Sequence, residues 1–162
     1  MTLDKLLESL DLKFKGSMLK TVKTSEKKAF VDIDPALVKP FVKHIFKDLA
    51  LRLNTISAVD TFDGFELLYH FSLDKDGITL SLRALLKDRA APRIETITDI
   101  TKSGWWIERE IHELFGINFE NNHDLRTLLL PDDWPKGVYP LRKDFITPKR
   151  DSRDHVHKPG AK

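Results

Sequence analysis

Residues 53–85, LNTISAVDTFDGFELLYHFSLDKDGITLSLRAL, decide the fold. Three runs with β-favouring composition, 53–61, 65–73 and 78–85, are separated by Asp63-Gly64 and by Asp74-Lys75-Asp76-Gly77. Asp-Gly readily takes the positive φ angles of tight turns, so the runs predict an antiparallel meander. Upstream, Leu3, Leu6, Leu7 and Leu10 recur at helical spacing, with Asp4, Lys5, Glu8 and Ser9 on the wet face. That helix ends by Gly16 at the latest.

Residues 17–23 and 28–33 read as two short strands around Thr24-Ser25-Glu26-Lys27. Asp34-Pro35 is a helix start, an N-cap followed by proline at the first helical position. Leu37, Val38, Phe41, Val42, Ile45, Phe46 and Leu49 then form an apolar stripe expected to pack on the sheet. Pro40 lies past the first turn of that helix, where it kinks the helix or delays its true start. Residues 94–101 read as a further short helix leading to Ser103-Gly104. The expected class is α+β, a mainly antiparallel sheet packed with helices and followed by a long irregular C-terminal segment. Residues 1–146 form one domain in this reading, and 147–162 a flexible basic tail.

The chain has 162 residues, enough for one domain with a proper core, and a formal charge of +2 that argues against a global nucleic-acid or anionic-membrane field. With no cysteine, it can supply no disulfide, thiolate nucleophile, zinc-thiolate site or iron-sulfur cluster ligand. No apolar run approaches the roughly 20 residues of a membrane span. A soluble, cytosolic protein is expected, docked as a peripheral subunit.

Residues 104–145, GWWIEREIHELFGINFENNHDLRTLLLPDDWPKGVYPLRKDF, are denser in aromatics, charges and prolines than core packing requires. They open with a helix over 105–115 that stops at Gly116, then run through irregular chain, which in a compact domain is usually functional or disordered. Seven aromatic residues favour function. Glu108 and His112 share one helix face, and Arg109 and Glu113 the next. The zinc-protease pattern needs two histidines around the glutamate and finds one. A general acid or base among Glu108, Glu110 and Glu113 requires burial; a solvated or ion-paired helix face is the simpler expectation. Trp105 and Trp106 point roughly 100° apart, so one core pocket cannot take both. His123-Asp124 near Arg126 lacks a nucleophile for a triad, and turn capping by Asn121, Asn122 and Asp124 accounts for the run. Pro131-Asp132-Asp133-Trp134-Pro135 and Pro140-Leu141-Arg142-Lys143-Asp144 join rigid φ angles to charges and anchors. They read either as loops folded on their own domain or as an interface.

The succession Glu108-Arg109-Glu110, Leu114-Phe115-Gly116-Ile117, Asp124-Leu125-Arg126, Leu129-Leu130-Pro131-Asp132-Asp133-Trp134 and Pro140-Leu141-Arg142-Lys143-Asp144-Phe145 resembles the 30-kDa subunit of respiratory complex I and its relatives among the membrane-bound nickel-iron (NiFe) hydrogenases. Asp60, Asp63-Gly64-Phe65-Glu66-Leu67 and Tyr69-His70 also match the family's sheet region. The resemblance implies a hydrophilic subunit that catalyses nothing itself and binds no metal or cofactor. It would brace and help assemble a catalytic large subunit beside a small iron-sulfur subunit, on the cytoplasmic side of the cell membrane. The NiFe centre and iron-sulfur clusters would lie in those partners. Partner contacts or loop bracing are expected at Glu108, Arg109, Glu110, Asp124, Arg126, Asp132, Asp133, Trp134, Arg142, Lys143 and Asp144. His112-Glu113, where respiratory members carry an aromatic and Asp, and Asn121-Asn122-His123, where they carry Gly-His-Pro, favour with the short length the hydrogenase branch over a quinone-reducing enzyme. Two remoter readings are a metal-dependent hydrolase using Glu108, His112 and His123, and a nucleic-acid module using the tail.

Overall fold

The computed structural model describes residues 1–147. Its first helix, α1 (Leu3–Lys13), is capped by Thr2, whose side chain accepts the Lys5 amide, and buries Leu3, Leu6, Leu7 and Leu10 as their spacing predicts. Phe14, just beyond α1, stacks on Phe41 with ring centroids 3.8 Å apart and ties the helix to the next one.

Strands β1 (Met18–Ser25) and β2 (Lys28–Ile33) form an antiparallel hairpin. Asp34 accepts the Ala36 amide and opens a 3-10 turn, Pro35–Leu37, that leads into α2 (Val38–Lys43) and a π-helical turn, His44–Asp48. Pro40 therefore lies in the first turn of α2, where its missing N–H is not needed by the helix. The apolar stripe survives the change of helix type, and Val38, Phe41, Val42 and Ile45 are all buried.

Strands β3 (Arg52–Asp60), β4 (Phe65–Leu73) and β5 (Ile78–Leu86) make the antiparallel meander. The sheet order is β1-β2-β5-β4-β3, so β2 lies beside β5, and that pair is parallel. Side-chain alternation explains the match. Ala29, Val31 and Ile33 pair with Leu80, Leu82 and Ala84, and all six are buried, extending one apolar face across the crossover.

The helix expected over 94–101 is not formed. Residues Arg93–Glu95 are a short strand, β6, paired in parallel with β7 (Asn118–Glu120). Ile94, Ile97 and Ile100 recur every third residue and imitate a helical stripe. Pairing decides against it: the Pro92 carbonyl accepts the Asn118 amide and the Glu120 carbonyl accepts the Thr96 amide, so this backbone is already committed to β7.

Gly64, at the β3–β4 turn, has φ +146°, and a Cβ there would lie 2.2 Å from the Leu86 carbonyl oxygen. Gly64→Ala therefore meets both a strained φ and backbone it cannot displace. We expect a loss of about 2–3 kcal/mol, read as a lower urea midpoint at unchanged slope.

Candidate functional site

Helix α3 (Gly104–Phe115) packs against β3 and ends at Gly116, whose φ of +72° carries the chain out in a left-handed turn. The faces of α3 differ from the expectation. Glu108 is completely buried and Arg109 and Glu113 nearly so, which overturns the solvated-face reading for both carboxylates; Glu110 alone among the three glutamates stays exposed. Gly104, Glu108, Ile111 and Phe115 recur at helical intervals, so Glu108 sits inside the apolar stripe.

What Glu108 meets there is polar. Its Oε1 accepts the Ile97 amide at 2.8 Å; its Oε2 accepts the Thr96 hydroxyl at 2.5 Å and the Asn122 side-chain amide at 2.9 Å. Burial raises its pKa, those three donors oppose the rise, and the nearby Asp99 charge adds to it. The carboxylate thus joins the turn after β6 to the loop after β7.

Arg109 and Glu113 act on the next segment. The Arg109 guanidinium donates to the carbonyls of Arg126 at 3.0 Å and Thr127 at 2.8 Å, and lies 5.4 Å from the centre of the Trp106 ring. Glu113 accepts three consecutive amides, Leu128 at 3.1 Å and Leu129 at 2.9 Å on Oε2, and Leu130 at 2.6 Å on Oε1. Three amides converging on one carboxylate form an anion nest whose anion is built into the protein. Asp124 adds a local turn: it receives the Arg126 amide and a two-pronged bond from the Arg126 guanidinium, which holds its pKa down at about 2. The capping expected at Asn122 is present, its side chain accepting the Asp124 amide at 3.0 Å.

The chain then returns as a strap over the C-terminus of α3. Leu141 donates its amide to the Leu114 carbonyl at 3.1 Å, and Arg142 Nε donates to the Phe115 carbonyl at 2.6 Å, so two carbonyls left unpaired at the helix end are satisfied. The Arg142 guanidinium also lies 4.4 Å from the Tyr139 ring centre and 4.9 Å from that of Phe65. Gly116 lets Tyr139 approach: a Cβ at 116 would stand 2.4 Å from its ring. The Lys143 amide completes the strap by donating to Asp60 at 2.8 Å, and Arg89 lies 2.7 Å from the other Asp60 oxygen. Burial raises the Asp60 pKa, but the Lys143 amide and the Arg89 guanidinium outweigh it, and the net shift is downward.

The predicted residues thus divide. Glu108, Arg109 and Arg142 hold main chain through their side chains, and Lys143 through its amide; Trp134 is half-buried, donating to the Val138 carbonyl at 2.8 Å. Glu110, Asp132, Asp133 and Asp144 face outward, making no side-chain hydrogen bond among the described residues. Trp106 is 59% exposed and Trp105 37%. Glu113, Asp60, Arg89, Thr96 and Asn122 were outside the predicted set. Four-residue spacing to Arg109 was the available signal for Glu113, and strand alternation with the buried Ile56 that for Asp60. The Glu108, His112 and His123 trio is not assembled: Glu108 is occupied as described, the His112 Nδ1–H donates to the Ile117 carbonyl, and His123 is exposed. Among the described residues no three His, Asp or Glu side chains are grouped to hold a metal.

A family model described as the 30-kDa subunit of the respiratory-chain NADH dehydrogenase matches residues 31–151. The chain belongs to this family. Like other 30-kDa subunits it is thereby placed with complex I-type and related energy-converting redox complexes, and no described helix is long and apolar enough to cross a membrane. It is 37% identical over 133 residues to the C subunit of the F(420)H(2) dehydrogenase of Methanosarcina mazei, covering 80% of this protein and 82% of that one. It is 30% identical over 151 residues to the C subunit of the NADH-quinone oxidoreductase of Rickettsia prowazekii, covering 90% and 74%. Against the corresponding Ruegeria pomeroyi protein, at 32% identity, it spans 60% of the relative's length. In three dimensions it is similar to a polypeptide of the membrane-bound sulfane sulfur reductase, an archaeal respiratory membrane complex, with TM-score 0.77, 26% identity and coverage of 88% and 85%. A trypsin-resistant fragment of Nqo5 matches with TM-score 0.63 and 25% identity, covering 76% of this protein and 98% of the fragment.

Glu113→Ala would leave three amides facing an apolar methyl. We expect a loss of about 3 kcal/mol and faster tryptic cleavage after Arg126 in the folded protein. Glu108→Gln tests the second carboxylate. Because the Glu108 pKa is raised, the folded protein holds more proton than the unfolded one between 4.5 and its native value, so stability falls as pH rises through that window. The amide variant should flatten that slope, and cost about 1–2 kcal/mol at pH 7 because Asn122 then faces a donor. Urea midpoints measured across the window check both effects.

Proposed function

We propose that this protein is the non-catalytic hydrophilic subunit of a multisubunit, energy-converting redox complex, and that it braces and helps assemble the catalytic large subunit beside a small iron-sulfur subunit. The observation that carries the reading is α3. Its buried charges hold the main chain of 126–130 and join the turn at Thr96-Ile97 to Asn122, while Glu110, Arg126, Asp132, Asp133, Lys143 and Asp144 remain outward. Loops held in one conformation before docking lose less entropy on binding, which suits a scaffold. On this reading Glu108, Arg109 and Arg142 brace; Glu110, Asp124, Arg126, Asp132, Asp133, Trp134, Lys143 and Asp144 face partners. The redox centres belong to those partners, and the complex sits on the cytoplasmic side of the cell membrane with this subunit peripheral.

A membrane-bound NiFe hydrogenase is the parent complex that the motif departures at His112-Glu113 and Asn121-Asn122-His123 favour. Identity of 37% to the F(420)H(2) dehydrogenase protein favours a second reading, a dehydrogenase with an equivalent large subunit and no nickel.

Tagged protein purified from its host in mild detergent should bring down a large subunit and a small iron-sulfur subunit. Nickel near one equivalent per chain supports the hydrogenase; iron and sulfide without nickel support the dehydrogenase. A protein recovered alone, from membranes as well as from the soluble fraction, overturns the reading.

A further inference from the structure

The two edges of the main sheet differ. On β1 the exposed Lys20 and Lys23 stand along the edge, and such charges discourage pairing with another strand. β3, the other edge, has β4 on one side and, among the described residues, no strand on the other. Its ladder can be phased. The Thr61 amide bonds the Gly64 carbonyl at 2.8 Å, and the register continues as Asp60↔Phe65, Val59↔Glu66 and Ser57↔Leu68. Hydrogen-bonded and non-hydrogen-bonded pairs alternate in antiparallel sheet, so Val59, Ser57 and Thr55 bond to β4. The amides and carbonyls of Ile56 and Ala58 point away, along the edge, where the Ile56 carbonyl receives a long 3.5 Å bond from its neighbour, the Thr55 hydroxyl, and the other three groups have no partner among the described residues.

Beside that edge is a groove of about 260 Å³, walled by Ile107, Ile111 and Leu114 of α3 and by Leu141 of the strap. This is below the roughly 300 Å³ at which small-molecule sites begin, and it suits an apolar side chain better than a cofactor. Glu110 stands at its rim, exposed and without an ion-pair partner among the described residues. Unpaired strand backbone, an apolar slot alongside a helix and a free carboxylate together describe a site for strand addition.

We propose that an extended segment of a partner subunit adds to β3 as a further strand, its main chain bonded to Ile56 and Ala58, one apolar side chain in the groove, and a neighbouring lysine or arginine on Glu110. The choice of a partner subunit rests on the functional reading above. The competing occupant is residues 148–162 of the protein itself, which offer Val156 as their one large aliphatic side chain and include Pro148 and Pro159. Between those prolines nine of the ten side chains are charged, serine or histidine, a composition of low strand propensity.

Amide hydrogen exchange over residues 55–59 tests the proposal, measured on the full-length protein alone and within the complex purified through its tag. The Ile56 and Ala58 amides should exchange readily in the free protein and on the order of 100-fold more slowly in the complex. Equal rates in the two overturn strand addition while leaving the functional reading intact. Slow exchange in the free protein that is lost on truncation after Thr147 assigns the edge to the protein's own tail and also overturns it. A protein that enters no complex removes the functional reading and this one together. Ala58→Pro deletes one edge donor at a position where proline is tolerated, since the ring faces away from β4. The free variant should keep its circular dichroism while recovery of the complex falls about tenfold, and Glu110→Lys should lower it without touching the fold. Wild-type recovery of both variants overturns the proposal; should Ala58→Pro fail to fold, the exchange comparison still decides.

Discussion

Two hydrogen bonds donated by Arg109 to the main chain of residues 126–130, and three accepted from it by Glu113, are the constraint on which the C-terminal third depends. Irregular chain has no neighbour to take its amides and carbonyls, yet buried backbone groups left unpaired are costly. A guanidinium supplies several donors in a fixed fork, and a carboxylate supplies acceptors for several amides. One turn of α3 therefore presents both halves of what the opposing segment lacks. Had these positions been leucines, the helix would pack well and the loop would have nothing to close on.

The same logic accounts for the other buried carboxylates of this protein. Glu108 and Asp60 each bind main chain from one segment and a side chain from another: Ile97 with Thr96 and Asn122 in the first case, Lys143 with Arg89 in the second. Their environments shift them in opposite directions. Burial dominates at Glu108, whose donors are neutral, whereas Asp60 has a guanidinium beside it. Removing one partner from such a cluster costs more than the cluster contributes net, because the others are left buried and unpaired. That makes each carboxylate a specification of loop geometry, and the outward residues inherit their positions from it.

The local elements are legible because local chemistry dictates them. Leu3, Leu6, Leu7 and Leu10 are periodic, Asp63-Gly64 and Asp76-Gly77 punctuate the meander, and Asp34-Pro35 opens a helix. Residues 94–101 mislead since isoleucines three apart satisfy a helical template, while the strand that overrides it, β7, lies more than twenty residues on. The candidate site is half legible. The motifs from Glu108 to Phe145 identify the family, yet a charged helix face reads as solvated until the segment opposite it is known.

By itself the sequence determined the fold class, the turn positions and the family, because these depend on residue types within a few positions of one another. Tertiary structure alone decided that β2 lies parallel to β5, that Glu108 and Glu113 face inward, and that the strap ends on Asp60, 83 residues before Lys143. The parallel pair is settled by the apolar face that β2 and β5 share, and the other two have one physical reason. Whether a polar group is worth burying depends on the partners that reach it, and these partners come from segments distant in sequence.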